Sequence, residues 1–578
     1  MRGMESSDPR APARWLTATP DRDRATELGR AIGLSPLCAQ LLLNRGVSAP
    51  AEARRYLAPR LGDLRRPDGD QAMRGFGVAV GRLERALAER ETIGIFGDYD
   101  VDGVTSAALL TRFLREAGGQ VVPRVARRDA GYGFGAADAQ ALSDAGCKVA
   151  ITCDCGTSDH DALAHARSLG LDAIVVDHHQ VPDREIEALA LINPHQPGCL
   201  FPFKGLASVG VAFYLAAALR TRLRERGWPS LPDPRALLDL VALGTVADLA
   251  PLTFENRILV HAGLERLRQR SHPGLEALCQ VSGLPDGVRR TADLGLRLGP
   301  RLNAPGRLGA AQLALDLLLC DDPARAPELA SACEDANRRR KDVQERVLRE
   351  ALADGERQAR LGHAVIVAAG QGWHPGVVGI VAARLVERFH RPAAVIALDG
   401  ELGRGSLRTA NGFDLHAGLA ACADLLVRFG GHAAAAGLTI EKSKLPALSE
   451  RLGAEVRRAL GERPPGRELR LDAEIGLDLV DEPLIAELER LEPFGIGNPE
   501  PLFGARGVTL ERARVVGDTH LQVTLRDGDY ARDGIGFGLA EGAPASGARV
   551  RAAFFPEVDT FRGVRRVRVR LRDLASEP

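Results

Sequence analysis

Residues Thr92–Gly103 read TIGIFGDYDVDG: a short β-rich run, then Asp98, Asp100 and Asp102 at alternate positions ahead of Gly103. Onward from it the same texture repeats as SAALLTRFL, QVVPRV, DAQALSDAG, KVAITCD, HDALAHARSLG and DAIVVD. Strand-like and helical segments alternating in this way predict an α/β fold with a doubly wound parallel sheet. In such sheets the chemistry sits at the carboxyl ends of the strands, where the three aspartates fall.

The whole chain has 578 residues, which predicts several domains. Hydrophobic residues are 45% and charged residues 26%, the balance of a folded protein, and at 4% aromatics its cores must be Ala, Leu and Val packing. Lys+Arg and Asp+Glu are both 76, so a polyanion must be held by a local basic patch rather than by summed charge. Nine cysteines without a CxxC pair read as reduced thiols in a cytoplasmic protein, with Cys153 and Cys155 packing beside Asp154. MRGMESSDPR lacks the apolar core of a signal peptide and no stretch reaches the ~18 apolar residues of a membrane span, so no membrane partner is expected.

Residues 1–80 read as an N-terminal extension with helical patterns at Ala25–Ile32 and Ala51–Leu57. Residues 81–320 read as the sheet domain, 321–362 as a long charged linker helix containing Arg338–Lys341, and 363–462 as a smaller α/β domain. From 463 to 578, HLQVTLRDGD, RVRAAFF and GVRRVRVRLRDL predict a small β-barrel or sandwich.

Three carboxylates crowded at a buried strand end repel one another unless a cation compensates them. DxDxDG also opens a calcium loop, but the twelfth position here is Leu109 and a strand precedes, so that geometry fails. KVAITCD delivers Asp154, DAIVVD delivers Asp177, His178 and His179, and VALGTVADLAPL places Asp248 after an apolar run. Any one of these alone is a helix cap or a satisfied histidine. Together they form a hard oxygen and nitrogen set suited to Mn²⁺ or Mg²⁺. So many carboxylates argue for two ions, and a pair ~3.5–4 Å apart suits phosphoester hydrolysis.

FGDYDVDG (Phe96–Gly103), CDCG (Cys153–Gly156), VDHH (Val176–His179) and GTVADLAPL (Gly244–Leu252) resemble, in order, the motifs of the DHH phosphoesterase family. RLNAPGRLG (Arg301–Gly309), GWHPGVVGIVAARL (Gly372–Leu385), GRGSLRT (Gly403–Thr409), FGGHAAAAG (Phe429–Gly437) and PFGIGNPEP (Pro493–Pro501) resemble its branch of single-strand-specific 5′-to-3′ DNA exonucleases. The likeness implies a DHH parallel-sheet domain, the linker helix, a DHH-associated domain and an OB-like barrel. It implies Asp98, Asp100, Asp102, Asp154, His178 and Asp248 as metal ligands, with Asp154 bridging. Asp177 would orient His178, and His179 would contact the scissile phosphate or leaving oxygen, so that Asp154, His178 and His179 form the catalytic set. Phe96 stands where some members have a histidine ligand, so either Asp98 must do more or one ion is held more weakly. A 5′-phosphate would be held by Arg127, Arg307, Ser406 and Arg408, with Gly430, Gly431 and His432 as a second close-approach turn. Single-strand-binding protein and a helicase are the protein partners expected beside single-stranded DNA.

In the tail Arg566, Arg568, Arg570 and Arg572 alternate with Val567, Val569 and Leu571, giving one basic strand face. That face is either a groove for single strands or a charge-protected edge. Tyr132, Phe554, Phe555 and Phe561 are the candidate stacking aromatics. The activity expected is metal-dependent degradation of single-stranded DNA to mononucleotides in recombination and repair. The rivals are a DHH phosphodiesterase of short oligonucleotides or cyclic dinucleotides, and a non-catalytic DNA-binding scaffold.

Overall fold

The computed structural model describes residues 13–67, 73–128, 133–270, 272–409, 412–461, 467–559 and 565–577. Contacts divide the chain into two units: residues 54–339 with 491–500, and the described residues of 1–53, 340–490 and 501–578. The stretch read as an N-terminal extension is therefore shared out between the units. Its first strand, β1 (Arg14–Thr17), pairs in parallel with Glu468–Leu471, more than 450 residues on. Trp15 of that strand is buried, with the guanidinium groups of Arg506 and Arg551 4.7 and 5.1 Å from its ring.

The unit of residues 54–339 is built on strands β2 (Thr92–Gly97), β3 (Gln120–Val125), β4 (Cys147–Cys153), β5 (Asp172–Val176) and β6 (Ala190–Ile192). All pair in parallel, in the order β3-β2-β4-β5-β6. The chain steps from β2 to β3 on one side and then crosses to β4 on the other, so the strand order reverses between β2 and β4. Open α/β sheets bind ligands in the crevice at such a reversal. Ile93 and Ile95 pack into the helices of one face, and Phe96, Ala150 and Val175 into those of the other. Because both faces are covered, the strands read as continuous apolar runs instead of alternating ones. Each fully buried Leu, Ile or Val here contributes about 1.5–3 kcal/mol. The helix Val101–Glu116 follows β2 and is buried along nearly its whole length.

The helix Ala326–Arg360 occupies the stretch read as a linker, and the division between the units falls within it. It is not solvated throughout: Arg340 is buried and donates to Gln344 at 2.6 Å, while Arg338 pairs with Glu334.

In the other unit β7 (Ile366–Gln371), β8 (Ala393–Asp399), β9 (Leu402–Arg408), β10 (Leu426–Gly431) and β11 (Ala435–Glu441) form a mixed sheet ordered β10-β11-β9-β8-β7. After β12 (Glu468–Leu471) and β13 (Ala473–Glu474) come β14 (Phe503–Val516), β15 (His520–Asp527), β16 (Tyr530–Gly536), β17 (Arg549–Asp559) and β18 (Arg566–Ser576). The run β14-β15-β16-β18-β17 closes because β17 also pairs with β14, giving a five-stranded barrel without free edges.

Candidate metal centre

Asp98 leaves the end of β2 with its N–H donating to the carbonyl of Cys153 at 3.0 Å, which stitches the first motif to the end of β4. Asp100 caps the helix Val101–Glu116, accepting from the N–H groups of Asp102 and Gly103 at 3.0 and 3.2 Å. Asp102 lies in that helix's first turn and accepts from the N–H groups of Ser208 and Val209 at 2.7 and 2.9 Å. The crowding depends on two glycines. A Cβ on Gly103 would stand 2.5 Å from the Asp98 nitrogen, and one on Gly244 would stand 2.3 Å from Thr105 Oγ1.

Asp154 follows β4 at φ +64°, a left-handed conformation that Asp tolerates better than most residues. Its Oδ1 accepts from Ser208 Oγ at 3.0 Å. Asp177, just past β5, accepts from the N–H groups of His178, His179 and Thr157 at 2.7, 3.2 and 3.2 Å. Asn193 ties this corner together, donating to Thr157 Oγ1 at 3.1 Å and to the His179 carbonyl at 2.8 Å.

These side chains converge in three overlapping groups: Asp98, Asp100 and Asp154; Asp102, His178 and Asp248; and Asp154, His178 and His179. Within each group the ligand atoms lie within 4.8 Å of one another. His178 Nε2 stands 3.2 Å from Asp154, 3.8 Å from Asp248 and 3.9 Å from Asp102. Burial, then mutual repulsion, raises the carboxyl pKa of Asp98 and Asp154 well above the usual range, of Asp102 to about 7 and of Asp248 to about 8. Burial, helped by His179, lowers His178 to about 4, so its ring is neutral.

Two buried atoms in the cluster, Asp98 Oδ1 and His178 Nε2, have no hydrogen-bond partner among the described residues. A buried acceptor left bare is costly, and a neutral imidazole aimed into a ring of carboxylates has the donor chemistry of a divalent-ion site. The residues fit Mn²⁺ or Mg²⁺. Asp154 and His178 each belong to two of the groups, and of the two only the carboxylate, with its two oxygens, would suit holding two ions.

Asp177 departs from expectation. Its Oδ1 meets Nδ1 of His179 at 2.7 Å, whereas His178 offers it only a backbone N–H. Both imidazoles nevertheless face Asp154, with their ring centroids 4.7 Å apart and His179 Nδ1 3.8 Å from Asp154 Oδ1. Burial acts to lower the His179 pKa, but the Asp177 contact and charge, with Asp248 and Asp100, raise it to about 9. Phe96 is a core residue, its ring 5.1 Å from that of Phe134.

Arg127 is exposed on the loop after β3, and Arg307 ends the helix Gly299–Arg307 in the same unit. That helix abuts the first motif: Asn303 accepts the Val101 N–H at 3.2 Å, and Gly306 leaves no room for a Cβ beside the Tyr99 carbonyl. Ser406 and Arg408 lie on β9 in the other unit, where Arg408 donates to Ser406 Oγ at 2.9 Å. A Cβ on Gly379 would come within 3.1 Å of both side chains. Gly430 and Gly431 are the exposed last residues of β10, paired with Gly437 and Ala436 of β11, and His432 follows them into the turn, with Gly431 at φ +129°.

The basic face of β18 is partly neutralised. Arg568 pairs with Glu557 and Asp559 at 2.7 and 3.0 Å, and Arg570 with Glu557 at 3.3 Å. Phe554 is fully buried and cannot stack on a base, and Phe555 lies under Arg570 at 4.4 Å. Tyr132 and Phe561 lie outside the described residues. Sequence reading passed over Ser208, Thr157, Asn193 and Asn303, which hold the ligands in place. For Thr157, directly after CDCG, and Asn303, inside RLNAPGRLG, that position is the available signal; Asn193 and Ser208 adjoin none of the motifs.

Residues 92–245 match the DHH family, N-terminal domain, residues 362–458 the DHHA1 domain and residues 471–573 the RecJ OB domain. Sheet, ligand cluster and these matches define the class as a DHH-domain protein carrying a DHHA1 domain and an OB barrel. The single-stranded-DNA-specific exonuclease RecJ of Salmonella typhimurium is 37% identical over 94% of this chain and 96% of its own length. RecJ of Bacillus subtilis is 38% identical over 91% of this chain, which spans 66% of that relative. The crystal structure of RecJ from Thermus thermophilus in complex with Mn²⁺ superimposes with a TM-score of 0.84 at 31% identity, covering 98% of this chain and 80% of that one. The chain belongs to the RecJ family.

Proposed function

We propose that the protein is a divalent-metal-dependent exonuclease that hydrolyses single-stranded DNA from the 5′ end to mononucleotides, serving recombination and repair in the cytoplasm. Single-strand-binding protein and a helicase are its proposed partners. The observation that carries the reading is the convergence of Asp98, Asp100, Asp102, Asp154, His178 and Asp248 around two buried atoms with no hydrogen-bond partner among the described residues. We assign metal holding to these six residues. Bound there, Mn²⁺ or Mg²⁺ supplies Lewis-acid polarisation of the phosphoryl oxygens and activation of water.

The chain's own groups do the rest. Asp177 holds the His179 ring cationic at neutral pH, placing a donor for the scissile phosphate or the departing oxygen. Ser208 orients Asp154, and Asn193 fixes the backbone of His179. Arg127, Arg307, Ser406 and Arg408, with Gly430, Gly431 and His432, are assigned to the 5′-phosphate and the strand behind it. If the P–O3′ bond is the one broken, each cut leaves a new 5′-phosphate to be bound in its turn, and polarity follows from that renewal. Filled acidic motifs argue against a non-catalytic scaffold, and the barrel argues against a phosphodiesterase confined to dinucleotides.

End-labelled single-stranded and duplex oligomers digested across a Mn²⁺ and Mg²⁺ titration test the reading. Stepwise release of mononucleotides from the 5′ end of single strands, dependent on metal, is expected. Equal attack on duplex ends, or release from the 3′ end, would refute it.

A further inference from the structure

The stretch Leu491–Glu500, which overlaps PFGIGNPEP (Pro493–Pro501), looks in sequence like a connector between the smaller α/β domain and the barrel. In space it belongs to the unit of the metal centre, although Arg490 before it and Pro501 after it belong to the other unit. It is a preformed loop. Gly495 and Asn498 exchange backbone hydrogen bonds at 2.8 and 3.1 Å, and fully buried Asn498 donates to the carbonyls of Leu491 and Pro493 at 2.9 Å each. Arg257, itself buried, donates to the carbonyls of Leu491, Glu492 and Pro493 at 3.1, 2.7 and 3.3 Å.

The loop holds its neighbours through backbone. Leu252 donates its N–H to the Ile496 carbonyl at 2.6 Å, and Thr291 Oγ1 donates to the Phe494 carbonyl at 2.6 Å. The Ile496 side chain is 55% exposed, so this contact is not made to bury it. Gly495 presses so close that a Cβ would stand 2.6 Å from Leu252 Cδ1.

Leu252 lies four residues beyond Asp248, and Asp248 is the one assigned carboxylate ligand that stands at the C-terminal end of a helix. The N–H groups of Asp98, Asp154 and Asp177 are each bonded to the neighbouring strand of the sheet, at the carbonyls of Cys153, Val176 and Ile192. Asp248 instead ends the helix Leu238–Ala247, and its N–H returns to Gly244 within the same helix. Beyond it the chain turns through Leu249 at φ +61°. Sheet hydrogen bonds anchor Asp98, Asp154 and Asp177, and Asp100 and Asp102 sit at the start of a helix. The chain after Asp248 is held by the N–H groups of Leu249 and Ala250 returning to Val246 and Thr245, by Asn256 donating to the Pro251 carbonyl, and by the bond from Leu252 to Ile496.

We propose that Leu491–Glu500 is a positioning strap for Asp248, setting the protein's affinity for the ion held by Asp102, His178 and Asp248. The inference rests on the metal reading above. The test is Mn²⁺ binding to the full-length protein, followed by calorimetry and by electron paramagnetic resonance of the free ion, with thermal melting alongside. Gly495→Ala pushes on Leu252, Thr291→Val removes one hydroxyl at nearly constant shape, and Gly29→Ala is a control. A Cβ on Gly29 would stand 2.7 Å from the Leu34 carbonyl oxygen, at least as demanding an approach because it meets backbone, but Gly29 lies in the other unit.

Both strap variants should bind one Mn²⁺ about tenfold more weakly, as loss of an outer-shell support does, and recover turnover at saturating Mn²⁺. Gly29→Ala should bind Mn²⁺ as the unaltered protein does. Unchanged affinity in the strap variants, or an equal loss in Gly29→Ala, overturns the strap and leaves the metal site standing. If Gly495→Ala does not fold, Thr291→Val decides alone. Failure of the unaltered protein to bind Mn²⁺ overturns the metal reading and the strap together.

Discussion

At the scale of single residues, Asp154 and Asp177 make opposite demands of one functional group. Asp154 is a buried carboxylate whose burial and neighbours favour the proton, so it needs a cation to remain charged. Asp177 is held well below the ordinary range: burial opposes this, but the His179 contact and charge, the Thr157 side chain and the His178 imidazole outweigh it. Asn keeps both the shape and the left-handed tolerance of residue 154. Asp154→Asn should therefore lower turnover by more than the roughly 10–100-fold that follows loss of an outer-shell partner, with single-strand affinity retained in a gel-shift assay. Asp177→Asn should let the His179 pKa fall from about 9 to near or below its ordinary ~6.5, read by NMR titration of metal-free protein. The sign for stability follows. A histidine raised in the folded state contributes stability that is complete below the unfolded value and is lost as pH rises through about 9. Metal-free protein should lose that part of its stability across this window, and the Asp177→Asn variant should not.

At the scale of elements, β18 shows how an alternating pattern is legible in direction but not in charge. The period of two correctly puts Arg566, Arg568, Arg570 and Arg572 on one face, with Val569 and Leu571 buried on the other. It says nothing of β17, whose Glu557 and Asp559 lie opposite Arg568 and Arg566 in the ladder. If this face meets DNA, Glu557→Gln should free Arg568 and Arg570, tighten binding and steepen its salt dependence by up to about 0.7 in logarithmic slope for each further phosphate neutralised. A filter-binding series across salt concentrations measures it, and an unchanged slope would remove β18 from the DNA path. The helix Ala326–Arg360 was legible from helical spacing and lies within the stretch read for it. Burial of its Arg340 was not, because helical spacing does not say which charged positions a fold will cover.

At the scale of the whole molecule, metal, protons and stability are linked. The raised pKa values of Asp102 and Asp248, about 7 and about 8, mean that below pH 7 an ion must displace protons to bind, whereas above pH 8 it need not. Calorimetry of Mn²⁺ binding in buffers of different ionisation enthalpy should show more protons released at pH 6 than at pH 9, with apparent affinity rising over that range. Chelation should lower the thermal midpoint, since saturation to 100 times the dissociation constant adds about 2.7 kcal/mol. A midpoint indifferent to Mn²⁺ would argue against a site preformed in the folded chain.

The sequence alone determined the parallel sheet, the order of its strands along the chain, and the side chains that gather at their ends. Strand periodicity and turn residues are local, and a parallel sheet brings successive strand termini to one edge whatever lies between. It also carried the ordered motifs of the family. Tertiary structure alone decided that Asp177 grips the ring of His179, that β1 pairs with β12 across more than 450 residues, and that Arg568 and Arg570 are neutralised. It alone decided, too, that Leu491–Glu500 lies against the loop after Asp248. Each of these joins groups whose separation along the chain, or whose rotamer, no local spacing specifies. They are settled only when the packed backbone leaves a buried donor one acceptor within reach.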